Sequence, residues 1–240
     1  MMTPDCSAWV NEMFSQRACD LTPAAVRDAA HVFYTPVSSD PEVSWRCATV
    51  LSDVERKRSE RFVTKELKNH FEQRRAFRRY CGALALGSSS SLSQITFAET
   101  LNGRPYLRDR SDLWFSFSSC RSGFIGAWSG THGLGVDLED RPVEREVKDL
   151  AQMYFTESEA RTVREGGPAL RRRFLQLWSL KEAALKSIGA GLPFGREFEF
   201  EIEGSLRVVY APREHGGPQR FKAHLFDQAD VCAALVLRNR

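Results

Sequence analysis

No two cysteines in this sequence stand in C-x-x-C spacing. The six are scattered as Cys6, Cys19, Cys47, Cys81, Cys120 and Cys232, several within apolar runs, where a reduced thiol behaves as a small hydrophobe. That scatter speaks against a zinc site or a small disulfide scaffold. Histidine is scarce too, five residues in 240, and no histidine–cysteine cluster invites a soft metal. No apolar run approaches the length of a membrane span, and the first residues carry no basic start followed by an apolar core. A cytoplasmic protein is therefore expected. Charge of one sign is not in large excess: 34 basic residues face 31 acidic ones, and the net charge of +3 implies no global pull toward nucleic acid. Walker loops are missing, as is a G-x-G-x-x-G after a strand, so ordinary ATP and NAD folds are unsupported.

What is present describes a globular protein. Hydrophobic residues make up 42% and charged residues 27%, enough for one large domain or two small ones. Residues 1–29 are weakly periodic and have no assigned role. A short strand is expected at His31–Thr35, followed by a Pro/Ser/Asp loop. Ser52 with Glu55 reads as a capping box opening a basic helical segment, Glu55–Leu86, with Phe71, Phe77, Tyr80 and Leu84 on its buried side. Gly87 and the serine run to Ser91 end it. Strands then follow at Ile95–Glu99, Pro105–Leu107, Leu113–Ser118, Phe124–Ser129 and Leu134–Glu139, with a hairpin turn at Asn102–Gly103. After Pro142 a helix leads to Phe155, Thr156 and Glu159 form a second capping box, and a helix runs from about Arg171 to Ile188, stopped by Gly189. Four alternating stretches close the chain: Glu197–Glu203, Leu206–Ala211, Phe221–Phe226 and Val231–Leu237. The order of strand, capping box, long helix and antiparallel strands occurs twice. Val32 and Val136, Ser52 and Thr156, and Phe71 and Phe174 recur at nearly one spacing. The fold expected is α+β: two pseudo-symmetric α/β halves, each a long helix packed on an antiparallel-rich sheet, with the active site in the cleft between them. Residues 30–130 would form the first half and residues 131–240 the second.

The candidate chemistry lies in two stretches of the second half. In Leu134–Glu139, alternation sends Leu134, Val136 and Leu138 inward and sets Asp137 and Glu139 together on the other face. Two carboxylates so placed repel unless a proton or cation separates them. In W-S-L-K-E-A-A-L-K (178–186), Phe174, Leu177, Lys181, Leu185 and Ile188 share a stripe, and Glu182 and Lys186 stand one turn apart. Alone, that Glu–Lys spacing is an ordinary surface ion pair. A third carboxylate on a helix near the D-x-E strand instead favours a hard cation, and Mg²⁺ is typically bound by one or two carboxylates plus phosphate oxygens.

These residues resemble the larger, Sfp-type class of 4′-phosphopantetheinyl transferases. G-V-D-L-E (135–139) is similar to that family's G-[IV]-D-[IVL]-E, and W-S-L-K-E-A-A-L-K to its W-x-x-K-E-A-x-x-K. K-S-I-G-A-G-L (186–192) matches the following K-x-x-G-x-G-L. N-G-R-P (102–105) resembles the G-K-P motif, and L-S-D-V-E-R-K-R-S-E-R-F (51–62) the family's basic opening segment. The resemblance, over roughly residues 30–240, implies transfer of the 4′-phosphopantetheine arm of coenzyme A to a serine of an apo acyl or peptidyl carrier protein. Adenosine 3′,5′-bisphosphate would be released. Carried over by position, Asp137, Glu139 and Glu182 would hold Mg²⁺ on the pyrophosphate. Lys186 would neutralise charge there, with Lys181 a second candidate. Arg58, Arg75 and Arg104 would serve the nucleotide end, with Ser118 and Ser119 also at the coenzyme. Either Glu182 or a metal-held hydroxide would take the serine proton. One motif departs: the family's F-N-x-S-H-S reads F-S-F-S-S-C (115–120), so Ser119 replaces a phosphate-contacting histidine, and Arg121 is expected to supply the lost charge. A silent coenzyme A or carrier-binding module, or another Mg²⁺-dependent phosphotransferase on this scaffold, is the alternative. A monomer is expected, with no nucleic-acid or membrane partner.

Overall fold

The N-terminal segment left unassigned above is a helix. In the computed structural model, which describes residues 6–87, 91–140, 147–190, 196–227 and 231–239, α1 spans Ser7–Arg17 and buries Val10, Met13 and Phe14. Those three positions form a one-sided stripe of i, i+3, i+4 spacing that is too short to stand out in a polar window. A two-residue strand β1 (Cys19–Asp20) then pairs antiparallel with β2 (His31–Pro36). The expected loop after β2 contains a further helix, α2 (Pro41–Thr49), opened by Asp40 as N-cap with proline in the first turn.

The capping box at Ser52 and Glu55 is formed, but the helix it opens is short. The single segment expected from Glu55 to Leu86 is two helices, α3 (Asp53–Ser59) and α4 (Lys65–Leu86). The break has a local cause: Thr64 turns its hydroxyl to the Leu67 amide and caps a new helix. Ser59 is meanwhile held by a hydrogen bond of 2.5 Å to the buried carboxylate of Glu72. Phe71, Phe77 and Tyr80 are buried as expected, whereas Leu84 is 39% exposed.

Strands β3 (Phe97–Glu99) and β4 (Pro105–Leu107) form the expected hairpin, with Gly103 at φ 79° in its turn. β5 (Trp114–Ser119), β6 (Gly123–Ser129) and β7 (His132–Glu139) follow, then α5 (Val147–Tyr154), α6 (Glu157–Arg164) and α7 (Leu170–Ile188). Thr156 and Glu159 make the second capping box. The chain ends in β8 (Glu199–Glu201), β9 (Arg207–Tyr210), β10 (Phe221–Asp227) and β11 (Cys232–Asn239). Pro142, Gly191, Leu192, Pro193 and the serines at 88–90 lie outside the described residues. The architecture is α+β, with one sheet ordered β1-β2-β6-β5, another β10-β11-β7, and two small hairpins.

Alternation on the strands sorts the core. Phe124 and Trp128 of β6 pack with α1, α2 and α4. Ile125 and Ala127 turn the other way, to meet Val32, Leu134, Val136, Leu138, Leu235 and Leu237. Ala234 and Val236 of β11 face Leu177, Leu180 and Ala184 of α7. One apolar layer is therefore shared by both larger sheets, and each has helices on its outer face.

The two sheets are also stitched along β5 and β7, without a backbone ladder. Alternate side chains of β5 reach across: Trp114 Nε1 donates to the Leu134 carbonyl (2.7 Å) and Ser116 Oγ accepts from the Val136 amide (3.1 Å). Ser118 Oγ donates to Asp137 Oδ1 (2.8 Å). Three side chains at period two thus satisfy polar groups that a neighbouring strand would otherwise have bonded.

Candidate active site

The site begins with a glycine. On β7, Gly135 faces α7, and a Cβ there would be driven into the Ala183 carbonyl oxygen, with Ser187 N at 2.7 Å and Lys186 Cβ at 2.8 Å. Only a residue without a side chain lets the helix backbone lie this close to the strand. The close approach sets Lys186 over the next residue of the same face, Asp137. Lys186 Nζ is 2.7 Å from Asp137 Oδ1 and 3.2 Å from both the Val136 carbonyl and Ser118 Oγ. Aspartate, lysine and serine thus converge from β7, α7 and β5.

Two carboxylate oxygens in this group, Asp137 Oδ2 and Glu182 Oε1, are buried without a hydrogen-bond partner. The carboxyls also act on one another. Burial, and next the charge of Asp137, pushes Glu139 up from 4.5 to about 7, with Lys186 opposing and Asp140 and Glu182 adding. Glu182 is likewise raised by burial, against the pull of Lys186. Among the described residues no three Asp, Glu, His or Cys side chains form a ready cation cage. On Asp137 Oδ1, the Lys186 ammonium stands where a cation could. The donors nevertheless suit a hard divalent ion: two orphaned buried oxygens and a third carboxyl, raised by burial and then by its acidic neighbours, are what such an ion would relieve. Asp137, Glu139 and Glu182 are the residues that could hold it.

Lys181 lies in a different environment from Lys186. Its ammonium is buried, 2.7 Å from Glu159 Oε2, and donates to the Phe198 carbonyl at 2.6 Å. Glu159 in turn accepts from the amides of Thr156 (2.8 Å) and Phe200 (3.0 Å). Lys181 ties α7 to α6 and the strand region beyond it. The stripe position that made it look anomalous in sequence is explained by this buried partner.

The arginine candidates separate. Arg58 and Arg75 both lie over the Phe71 ring, at 5.5 and 5.4 Å, and Arg75 also pairs with Glu55 at 3.5 Å. Arg104 instead lies 4.1 Å over Trp114, at the start of β5, the opposite end from Ser118 and Ser119. Ser119 borders two cavities. One, of about 1850 Å³, is lined by Lys65, His70, Arg121, Asp140, Arg172 and Val231 among others, so residues from both sides of the seam contribute. The smaller, about 200 Å³, has Arg74, Arg78 and Ser118 in its wall. His70 was not among the sequence candidates, and Arg74 and Arg78 were noted only as part of the basic segment Glu55–Leu86; the three recur every fourth residue on α4 and so form one ridge. That spacing was the available signal. His70 Nε2 is 2.8 Å from the Cys120 carbonyl, and its ring packs against Phe124.

Buried carboxylates against a lysine, beside a recess walled by arginines, are a charge arrangement suited to a phosphate-bearing ligand on an α+β scaffold. The comparisons with known proteins give that arrangement a family. The profile of the 4′-phosphopantetheinyl transferase superfamily matches residues 133–236, from β7 to β11. The chain is 30% identical over 183 residues to the putative 4′-phosphopantetheinyl transferase slr0495 of a Synechocystis species, covering 70% of this chain and 73% of that protein. It is 27% identical over 179 residues to the 4′-phosphopantetheinyl transferase HetI of a Nostoc species, covering 73% and 75%. Over 142 residues it is 30% identical to the 4′-phosphopantetheinyl transferase psf-1 of Bacillus pumilus, covering 58% and 59%. The chain belongs to the 4′-phosphopantetheinyl transferase superfamily.

Proposed function

We propose that this protein transfers the 4′-phosphopantetheine arm of coenzyme A to a serine of an apo carrier protein, as a holo-[acyl-carrier-protein] synthase type enzyme acting as a monomer. The observation that carries the reading is the convergence of Asp137, Lys186 and Ser118, with Glu182 one helical turn from Lys186, inside the region that matches the family. In the reaction the serine Oγ forms a bond to the β-phosphorus of coenzyme A. The bond from that phosphorus to the bridging oxygen breaks, and adenosine 3′,5′-bisphosphate leaves with the electron pair. Positioning and charge neutralisation supply most of the acceleration.

A magnesium ion bound by Asp137, Glu139 and Glu182 would supply charge neutralisation on the pyrophosphate. The chain's own groups do the rest. Lys186 brings an ammonium, already directed by Asp137, to the phosphate oxygens. Ser118 fixes the Asp137 carboxylate from the other side. Glu182, with a buried oxygen lacking a donor and a pKa raised by burial, is suited to accept the serine proton. The large cavity bordered by Ser119, Arg121 and Arg172 is the proposed approach for coenzyme and carrier. Two similar halves, residues 30–130 and 131–240, complete the reading. Supporting it, the strand orders β2-β6-β5 and β7-β11-β10 correspond, with three helices following β2 and three following β7.

The test is labelling of a panel of apo carriers with a fluorescent coenzyme A analogue, with and without chelator, followed by product analysis. Metal-dependent labelling with release of adenosine 3′,5′-bisphosphate is expected. Coenzyme binding without labelling would mean a silent module, and a different nucleotide product would mean another phosphotransferase.

A further inference from the structure

Helix α3 is attached to the molecule by directional polar bonds rather than by apolar packing. Of its residues only Ser59 is buried, and its one aliphatic side chain, Val54, is 78% exposed. Helical spacing sorts the rest. Glu55 and Ser59, four apart, face α4: the Glu55 carboxylate meets Arg79 at 2.6 Å and Arg75 at 3.5 Å, and Ser59 Oγ donates to Glu72 Oε1 at 2.5 Å. Val54, Lys57, Arg58 and, in the turn beyond, Arg61 recur three and four apart, and with Phe62 they line a groove of about 540 Å³. Phe62 packs on Phe71 at 5.2 Å, which holds the end of the helix in place without fixing its rotation. The direction of the basic stripe therefore depends on how α3 is turned about its axis, and the bonds on its other edge set that angle.

Glu72 is where those bonds meet the core. It is a buried carboxylate on α4 that takes no part in the proposed reaction, and it receives two hydroxyls: Ser59 of α3 on Oε1, and Ser44 of α2 on Oε2 at 2.8 Å. Lys68 Nζ stands 3.9 Å away, at the exposed rim. A buried carboxylate is costly, and an apolar side chain of the same size would fill the place at less cost. What the carboxylate adds is direction, one acceptor oxygen for each neighbouring helix. We propose that Glu72 and Ser59 are positioning residues for coenzyme binding: through Ser59 the carboxylate sets the rotation of α3 and so holds Arg58 toward the nucleotide end of the coenzyme. Both are buried and act through Arg58. The Ser44 branch of the same carboxylate serves the packing of α2 alone. This inference rests on the coenzyme reading given above, in which Arg58 serves the nucleotide end.

The two branches supply the control. Ser59→Ala and Ser44→Ala each leave one Glu72 oxygen short of a donor, and each should lower the melting temperature by about 2–4 °C. Titration calorimetry with coenzyme A should separate them. Ser59→Ala should weaken binding by about five-fold or more, the larger part of one charge-assisted contact, while Ser44→Ala should stay within about two-fold of wild type. In an Arg58→Gln background, itself weakened, Ser59→Ala should add no further loss of affinity, because the group it acts through is gone. Should Ser59→Ala fail to fold, judged by its melting curve, Glu72→Leu, which removes the acceptor and keeps the volume, carries the same expectation. Equal weakening by the two alanines, no weakening by Ser59→Ala, or a full further loss in the Arg58→Gln background would overturn the positioning role while leaving the coenzyme reading intact. A wild type that does not bind coenzyme A overturns that reading and the positioning role with it.

Discussion

At the scale of single residues, the site is a balance of carboxylates around one ammonium, and its consequences follow pH. The Glu139 carboxyl is raised from 4.5 to about 7 by burial and by Asp137. Its folded-state pKa lies above its unfolded one, so between these values the folded chain holds more protons. Stability therefore falls as pH rises through that window. Glu182, raised in the same direction, adds to the slope. The metal-free protein should melt at a higher temperature near pH 5 than near pH 8, and Glu139→Gln should flatten that dependence. Magnesium should stabilise more at the higher pH, because ligation needs the deprotonated carboxylates. Scanning fluorimetry across pH, with and without Mg²⁺, reads both effects; an unaltered slope in Glu139→Gln would remove Glu139 from the account. Asp137→Ala and Glu182→Ala should each lower transfer on the order of 100-fold or more while remaining folded. Normal turnover in either, with chelator as control, would exclude the metal site. This acidic constellation was legible in the sequence because strand alternation and helix spacing are strictly local rules. Lys181 was not, since its partner Glu159 lies on another helix, and no spacing rule joins them. The charge near Ser119 was sought next door in Arg121, while the fold brings Arg74 and Arg78 to the same recess from α4.

At the scale of elements, the contact of α7 with β7 decides whether those residues meet. Gly135 is its weak point, since an added methyl collides with helix backbone, which cannot rotate away as a side chain can. Gly135→Ala should cost about 3 kcal/mol of stability. It should also lower transfer by moving Lys186 from Asp137; a denaturant midpoint and a turnover number check the two parts. The Lys181–Glu159 pair provides a contrast on the same helix. Lys181→Met should cost about 3–5 kcal/mol, because Glu159 is left buried and unpaired. The coenzyme A KM of the folded fraction should nevertheless stay at the wild-type value. A raised KM with unchanged stability would return Lys181 to the coenzyme. Element types were mostly readable: both capping boxes, the strand at β7 and the stop at Gly189 lie where the sequence puts them. Helices α1 and α2 were hidden for a physical reason. Val10, Met13 and Phe14 become a buried face only when α4 supplies the far side of the cluster, and the Asp40–Pro41 start resembles a turn as much as a cap.

At the scale of the whole molecule, a net charge of +3 is too small to steer anything by itself, so any electrostatic docking must come from how the charge is distributed. The distribution is uneven. Arg56, Lys57, Arg58, Arg61, Lys65 and Lys68 fall within α3, its following turn and the start of α4, and outnumber the acidic Asp53, Glu55, Glu60 and Glu66 of the same stretch. Lys65 also lines the large cavity, with Arg121 and Arg172 on its other walls. An acidic carrier approaching that opening would meet this positive field before touching anything, which raises encounter rate more than final affinity. Screening then gives a signature. The Debye length shrinks from about 10 Å at 0.1 M salt to about 3 Å at 1 M, so the carrier KM should rise several-fold across that range. The turnover number should hold, since chemistry follows docking. Lys57→Gln together with Arg61→Gln should reproduce part of the rise at low salt and weaken the remaining salt dependence, because the same charges cannot be lost twice. The competing possibility is docking by apolar contact, for which the same corner offers Val63, 96% exposed, and Val54, 78% exposed. A carrier KM that stays flat with salt but rises in Val63→Ser would move recognition from charge to those side chains.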